Sequence, residues 1–263
     1  MTRRVTRAAD RVAAWSDPGP SHPDLEEARR SYSVAHTSNG RFLRGTHLAS
    51  APTFTDPRGW TPHASFSPSP LARQGATAYA SLMGMGDPHS GAVNYASARR
   101  EPEELRRTAK AYDALPAFDP NAVKHFDAVR RGVNSQYDFM TKRLGIKVQP
   151  TDYDPYPDVH AMVNDVNNNK TLKVLSTAAT GGHPYFDDQT NDRFRAMHDF
   201  FGHAATGRSF DRHGEEAAYL AHAAMFHPQA RPALNTELRG QNSSLIYNGG
   251  FAPQKIATLP NQL

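Results

Sequence analysis

Apolar residues recur every three or four positions over much of the second half of the chain, which is the spacing of amphipathic helices. The longest run follows Asp119-Pro120 and ends near Gly145. Its apolar positions are Val123, Phe126, Val129, Val133, Tyr137 and Met140. The same spacing predicts further helices over residues 102–115, 159–166, 192–204, 215–226 and 232–240.

Two short apolar runs, at residues 146–148 and 173–175, have the length of strands rather than of helices. The predicted fold class is therefore mainly α with a minor β component, an α+β arrangement. We expect this mostly helical domain to comprise residues 101–263.

The first hundred residues have a different pattern. They hold nine prolines and twelve serines, and helical spacing is brief there. They also carry twelve arginines against seven acidic residues, whereas residues 101–263 carry eighteen basic and nineteen acidic residues. The pattern predicts an irregular basic arm over residues 1–100. Such an arm suits contact with an acidic surface, with nucleic acid or with neighbouring virion subunits, and a solvated arm is the plainer interpretation.

Composition narrows the chemistry. The 263 residues contain no cysteine and thirteen histidines. This excludes disulfides, cysteine-bound metals and thiol nucleophiles, and it leaves His, Asp and Glu as the strong metal ligands. No apolar run has the length of a membrane span, and the first residues lack the apolar stretch of a secretory signal. We therefore expect a cytoplasmic or virion protein that is not secreted and has no membrane contact.

The candidate chemistry is concentrated in the segment from His198 to His203, whose sequence is His-Asp-Phe-Phe-Gly-His. On an ideal α-helix five residues turn through 500°, which leaves the two imidazoles about 140° apart. The pair can share an ion only if the helix ends or bulges near Gly202. Two histidines and one carboxylate with open positions form a donor set that suits iron(II) in oxygen-using enzymes. The alternative is that these histidines serve only packing and hydrogen bonding.

Several acidic residues follow the histidine pair. Glu215 and Glu216 begin an otherwise apolar helix, where a buried carboxylate needs a cation, a metal or a histidine beside it. The positive end of the helix dipole is the plainer explanation for two acids at this place. Glu237 lies in a polar segment, residues 236–242. Further candidate ligands are His213, His222 and His227.

This order of residues resembles the catalytic core of the pterin-dependent aromatic amino-acid hydroxylases. That family has His-Glu-Leu-Leu-Gly-His where this chain has residues 198–203, and then a Ser-Phe pair and a glutamate, matched by Ser209, Phe210 and Glu216. Its third iron ligand is a glutamate matched by Glu237, and the stretch beyond is similar to residues 247–251. The resemblance covers about residues 173–253. The chain lacks the family's Pro-Glu-Pro-Asp segment and its substrate-binding arginine.

The resemblance implies a mononuclear iron(II) site. The implied metal ligands are His198, His203 and Glu237, the implied catalytic residues are Asp199, Glu216 and Tyr247, and the implied cofactor-binding residue is Thr177. In this interpretation Asp199 and Glu216 orient the imidazoles, and Thr177 and Tyr247 line the pocket. Reduced pterin is implied as a co-substrate by the resemblance alone.

Residues 197–248 also resemble uncharacterised segments of large multi-domain proteins of bacteriophages and mobile elements. A similar histidine pair occurs there with a Gly-Glu-Glu run and a Thr-Glu-x-Arg-Gly-Gln-Asn run. Three functions stay open. The first is an iron(II)-dependent, hydroxylase-like enzyme of bacteriophage origin, acting on a small molecule or a protein. The others are a virion or assembly protein with a structural or vestigial metal site, and a zinc hydrolase with Glu215 or Glu216 as general base.

Overall fold

The computed structural model describes residues 67–91, 94–248 and 252–260. Within these residues the chain is mostly helical with one small parallel sheet, which confirms the predicted fold class. The helices in chain order are α1 (Pro70–Leu82), α2 (Pro102–Asp113), α3 (Val123–Arg143), α4 (Val159–Asn164), α5 (Thr177–Thr180), α6 (Asp188–Met197), α7 (Arg212–Ala223), α8 (Arg231–Leu234) and α9 (Gln241–Asn248). Helices α4, α6 and α8 continue directly into π-helical segments at Asp165–Asn169, His198–Ala204 and Asn235–Gly240.

The sheet consists of β1 (Lys147–Thr151) and β2 (Thr171–Leu175). The strands are parallel, with Lys147 opposite Thr171 and Thr151 opposite Leu175. Helix α4 and its π-helical continuation form the crossover between them, as a parallel pair requires. Both runs predicted as strands form strands, although β1 begins one residue later and ends three residues later than predicted, and β2 begins two residues earlier.

Helix α3 is the central helix of the described region, and it packs against α1, α6 and α8. Its apolar face is buried, with Phe126, Val129 and Val133 fully excluded from solvent. This is the face that the spacing of its apolar residues predicts. Helices α1, α6 and α8 thus share the longest amphipathic helix as their packing partner.

Helix α1 shows that the domain begins before residue 101. Residues 70–82, which composition assigns to the irregular arm, form a helix. Ser69 caps α1 by accepting the Ala72 N–H at 3.2 Å, and Pro70 occupies the first helical position, where its missing N–H costs nothing. Tyr79 on this helix is fully buried in the core. This part of the predicted arm is therefore helical and packed, while residues 1–66 lie outside the described residues.

Helix α1 is also joined to the segment that carries the histidine pair. The Ser69 N–H donates to the Ala204 carbonyl at 2.7 Å. The Ser69 hydroxyl also donates to Asn167 Oδ1 at 2.5 Å, on the π-helical continuation of α4. The cap of α1 thus holds two π-helical segments together.

None of the helices in the described residues combines the length and the apolar character that crossing a lipid bilayer demands.

The placement of α1 in the core predicts that Tyr79→Ala lowers the free energy of unfolding by about 3–5 kcal/mol, the usual cost of removing a buried aromatic ring. Urea denaturation followed by circular dichroism measures this change. Ser81→Ala, at an exposed position of the same helix, is the control and should change stability by less than about 0.5 kcal/mol. Equal effects of the two substitutions would contradict the placement of α1.

Candidate metal centre

The two histidines lie in a π-helical segment rather than in an α-helix. From His198 to Ala204 the helix that began as α6 is π-helical. Backbone bonds of a π-helix join residues five apart, so His198 and His203 lie on the same face. Their ring centroids are 5.0 Å apart and the ring planes are nearly perpendicular, at 88°. The bulge that a shared ion requires is present, and it extends over the whole motif.

Gly202 allows this π-helical segment to approach α7 closely. A Cβ atom at Gly202 would lie 2.9 Å from the Cβ of Ala218 and 3.1 Å from its carbonyl oxygen. These separations are shorter than ordinary van der Waals contacts. Any other residue at this position must therefore push the two helices apart.

The start of α7 places an acidic residue opposite the histidines. Asp211 caps the helix by accepting the N–H groups of His213 and Gly214, each at 2.8 Å. Gly214 is needed in this turn because a Cβ there would overlap the Ser209 carbonyl oxygen. Glu215 follows in the first turn of the helix.

The carboxylate of Glu215 contacts both imidazoles. Its Oε2 lies 3.4 Å from His198 Nε2, and its Oε1 lies 3.5 Å from His203 Nε2. The candidate donor atoms of the three residues all lie within 4.8 Å of one another. Two atoms that each bind one ion at about 2.0–2.2 Å are roughly 3–3.5 Å apart, so the carboxylate separations fit a shared ion.

His203 has the hydrogen bond that a metal ligand usually makes on its outer side. Its Nδ1–H donates to the Arg208 carbonyl at 3.0 Å, so that Nε2 is the ring nitrogen that faces Glu215. The side chain of Arg208 is buried and donates to the carbonyls of Tyr95 and Ala98, so the loop that supplies this acceptor is itself held in place. The His203 side chain is 1% exposed, against 12% for His198 and 20% for Glu215.

The charges of the cluster depend on one another. Burial opposes a charge on His203, but the Glu215 carboxylate outweighs it, and the pKa of His203 is raised. Burial likewise opposes a charge on Glu215, yet His203 and His198 hold the pKa of this carboxyl far below its usual range. Without a metal the group is therefore a buried ion pair. A divalent cation would replace the imidazole proton as the partner of the carboxylate.

Glu215, rather than Glu237, is the carboxylate that the structure places with the two histidines. Glu237 lies in the π-helical segment that follows α8, where its Oε2 accepts the Nε2–H of His183 at 3.2 Å. The Nδ1 of His183 accepts the backbone N–H groups of Tyr185 and Phe186, so the proton of this imidazole is on Nε2. The ligand set implied by the resemblance is corrected at this position, because Glu237 is held by a different histidine.

Glu216 likewise lies apart from the histidine pair. It forms a two-point hydrogen-bonded ion pair with Arg239, and Arg100 lies 4.0 Å away. Neighbouring residues on a helix are about 100° apart around its axis, so only one of Glu215 and Glu216 can face the histidines. Glu216, the glutamate that the resemblance selects, faces Arg239, and Glu215 faces the histidines. Glu216 does have the cation that its burial demands.

The other predicted site residues, Thr177, Tyr247 and Asp199, do not belong to the group of three donor residues. Thr177 starts α5, and its N–H and hydroxyl both donate to Asp192 Oδ1 at 2.6 Å, which ties β2 to α6. Tyr247 lies on α9, which packs against α2. Asp199 lies beside His198, and its negative charge favours protonated His203. Asp199 thus lies near the centre, whereas the polar groups of Thr177 are hydrogen-bonded to Asp192 on α6.

The signal that distinguishes Glu215 is the spacing on its own helix. Glu215 and His222 are seven residues apart, which places them on one face of α7. The ring of His222 lies 5.7 Å from that of His198. Because His222 lies beside His198 and shares a face of α7 with Glu215, the seven-residue spacing indicates that Glu215 and not Glu216 faces His198 and His203.

No family model matches the chain, and neither the curated proteins nor the solved structures contain a match to it.

The close approach at Gly202 predicts that Gly202→Ala separates the histidines from Glu215. We expect a loss of about 1–3 kcal/mol in the free energy of unfolding, the usual cost of overpacking, together with weaker metal binding. Thermal unfolding and zinc titration measure the two effects. Gly86→Ala is the matched control, since a Cβ at Gly86 meets no atom within 4 Å and should leave both quantities unchanged. Normal zinc binding by Gly202→Ala would contradict this account.

The coupled charges predict a pH optimum for the stability of the metal-free protein. The lowered pKa of Glu215 contributes stability above its ordinary value of about 4.5, which is lost as the pH falls through the lowered value. The raised pKa of His203 contributes stability below its ordinary value of about 6.5, which is lost as the pH rises through the raised value. The stability that the pair contributes should therefore be largest between the two ordinary values, from about pH 4.5 to about pH 6.5. The melting temperature measured as a function of pH tests this. Glu215→Gln should flatten the profile, and an unchanged profile in this variant would contradict the assignment.

Proposed function

We propose that this chain is a mononuclear non-heme iron(II) protein with a hydroxylase-like, oxygen-dependent activity. The metal ligands are His198, His203 and Glu215. The observation that carries the proposal is the convergence of two imidazole Nε2 atoms on one carboxylate, at 3.4 and 3.5 Å. Two histidines and one carboxylate on one side of an ion leave other positions open, which suits iron(II) and the binding of dioxygen.

The protein contributes geometry and a dry environment to this centre. The π-helical segment presents both imidazoles from one face, and the cap of α7 presents the carboxylate from the other. Phe210 packs edge-on against the His203 ring at 4.8 Å, which keeps water from that side. Access is left at Glu215 and His198, the two more exposed members, so a substrate should approach from their side.

Two observations favour iron over a zinc hydrolase. A hydrolytic zinc site needs a free carboxylate as general base, and the candidates were Glu215 and Glu216. Glu215 belongs to the donor set, while Glu216 is bound by Arg239. Neither carboxylate is placed to take a proton from water, so hydrolysis is the second choice for this site.

The other parts of the proposal rest on the sequence alone. Reduced pterin remains a prediction of the resemblance alone. Thr177, the residue implied to bind it, donates to Asp192, and Glu237, the implied metal ligand, accepts from His183. A small molecule or a protein remains the expected substrate, and bacteriophage origin remains an inference from residues 197–248. The virion or assembly role depends mainly on the basic arm, most of which lies outside the described residues.

The decisive experiment uses protein purified without a histidine tag and loaded with iron(II) in the absence of oxygen. Nitric oxide, as a mimic of dioxygen, should bind and give a high-spin electron paramagnetic resonance signal, since the site has open positions. His203→Ala and Glu215→Gln each remove one ligand and should abolish the signal. Glu237→Gln is the matched control, because it changes a buried glutamate outside the donor set and should preserve the signal.

Other outcomes would overturn the proposal in different ways. Loss of the signal in Glu237→Gln and its retention in Glu215→Gln would restore the ligand set implied by the resemblance. Tight zinc binding without a nitric oxide signal, together with ester or peptide hydrolysis, would establish the hydrolase. If the protein binds no metal above background, the histidines serve only packing and hydrogen bonding, and the proposal is wrong.

A further inference from the structure

The two histidines of the centre differ on their outer sides. His203 Nδ1 donates to the Arg208 carbonyl at 3.0 Å. His198 Nδ1 is buried and has no hydrogen-bond partner among the described residues. Because an imidazole that binds an ion through Nε2 carries its proton on Nδ1, the outer nitrogen of His198 is a buried donor that needs an acceptor.

A buried acceptor without a donor lies beside it, on His222. This histidine is fully buried on α7. Its Nε2 lies 2.9 Å from Gln136 Oε1, and the Gln136 amide nitrogen donates to the Met225 carbonyl at 3.1 Å. That second bond orients the amide so that its oxygen faces His222. An amide oxygen only accepts, so the proton of His222 is on Nε2 and its Nδ1 is a bare acceptor.

The two nitrogen atoms have complementary needs. His222 Nδ1, like His198 Nδ1, is buried without a hydrogen-bond partner among the described residues. The rings are 5.7 Å apart between centroids and inclined at 46°. Leaving a buried polar atom without a hydrogen bond is costly, and one water molecule that links the two atoms removes both costs.

We infer that Gln136 and His222 form a positioning chain that orients the metal ligand His198. His198 Nδ1–H donates to one buried water molecule, which donates in turn to His222 Nδ1, and His222 Nε2–H donates to Gln136 Oε1. His222 is thus a positioning residue and not a ligand, since the donor atoms within 4.8 Å of one another belong to His198, His203 and Glu215. The inference rests on the proposed metal centre, but the imidazole tautomers that the chain requires can be measured without the metal.

The chain gives each imidazole ligand an outer acceptor. His203 receives a backbone carbonyl, while His198 receives a side chain from α7 that is held by α3. The ligand on the more exposed side is therefore oriented by side-chain contacts. Substitution of Gln136, which lies on a helix remote in sequence, should consequently change how His198 is oriented and how it binds the metal.

The first test measures tautomers in the metal-free protein by nitrogen-15 nuclear magnetic resonance of the imidazoles at mildly alkaline pH. We expect His222 to carry its proton on Nε2 and to have a bare Nδ1, and His198 to carry a proton on Nδ1. A proton on His222 Nδ1, or a bare Nδ1 on His198, would overturn the inference. This result does not depend on metal binding, so it is separable from the outcome for the proposed function.

The second test compares the affinity for cobalt(II), measured by competition with a chelator, in two variants of the full chain. His222→Leu keeps the bulk but removes both hydrogen-bonding atoms, and it should lose about 10–100-fold in affinity. His222→Gln supplies an amide donor for Gln136 and an oxygen acceptor for His198, and it should retain most of the affinity. Equal losses in the two variants, with both folded by circular dichroism, would show that only packing matters.

A third measurement keeps the inference testable if the His222 variants fail to fold. Gln136→Leu leaves every donor of the centre in place but removes the acceptor that fixes the His222 tautomer. In the cobalt(II)-loaded protein, the exchangeable Nδ1–H resonance of His198 should be protected in the natural chain and should exchange faster in Gln136→Leu. Unchanged exchange would overturn the positioning role. Absence of cobalt(II) binding in the natural chain would instead contradict the proposed function.

Discussion

The π-helical turn from His198 to Ala204 is the constraint on which the centre depends. An α-helix would direct the two imidazoles about 140° apart, whereas the wider turn places residues five apart on one face. The wider turn is maintained by its neighbours: Gly202 lies against Ala218, and the Ala204 carbonyl accepts the Ser69 N–H. Because these contacts come from α7 and from the cap of α1, the local geometry is a product of the packed domain.

Buried charge is distributed so that each acidic side chain has its own partner. Glu215 has the two histidines, Glu216 has Arg239, and Glu237 has the neutral imidazole of His183. An unpaired carboxylate at any of these places would carry a large desolvation cost. The pairing of Glu216 with arginine also prevents it from competing for the ion, which leaves Glu215 as the carboxylate of the centre.

The histidines are held from outside as well as from inside. The loop with Arg208 fixes one imidazole, and the chain through His222 and Gln136 extends the same support to the other. These supports come from the long helix α3, from α7 and from the segment before α2. The centre is therefore built into the core of the domain, with an opening on the side of Glu215 and His198.

The sequence by itself determined the helical class, the two strands and the histidine pair, because periodic apolar residues and local motifs depend on neighbours within a few positions. It also indicated that the two histidines can share an ion only if the helix ends or bulges near Gly202. Only the tertiary structure decided which glutamate completes the group. The residues adjacent to Glu215, Glu216 and Glu237 do not show which of them faces the histidines. Their roles depend on the face of α7 on which a glutamate lies and on partners distant in sequence, such as Arg239 and His183. Helix α1 was not predicted for a similar reason: it directly follows a Ser-Pro-Ser sequence and is stabilised by packing on the core, which composition does not show.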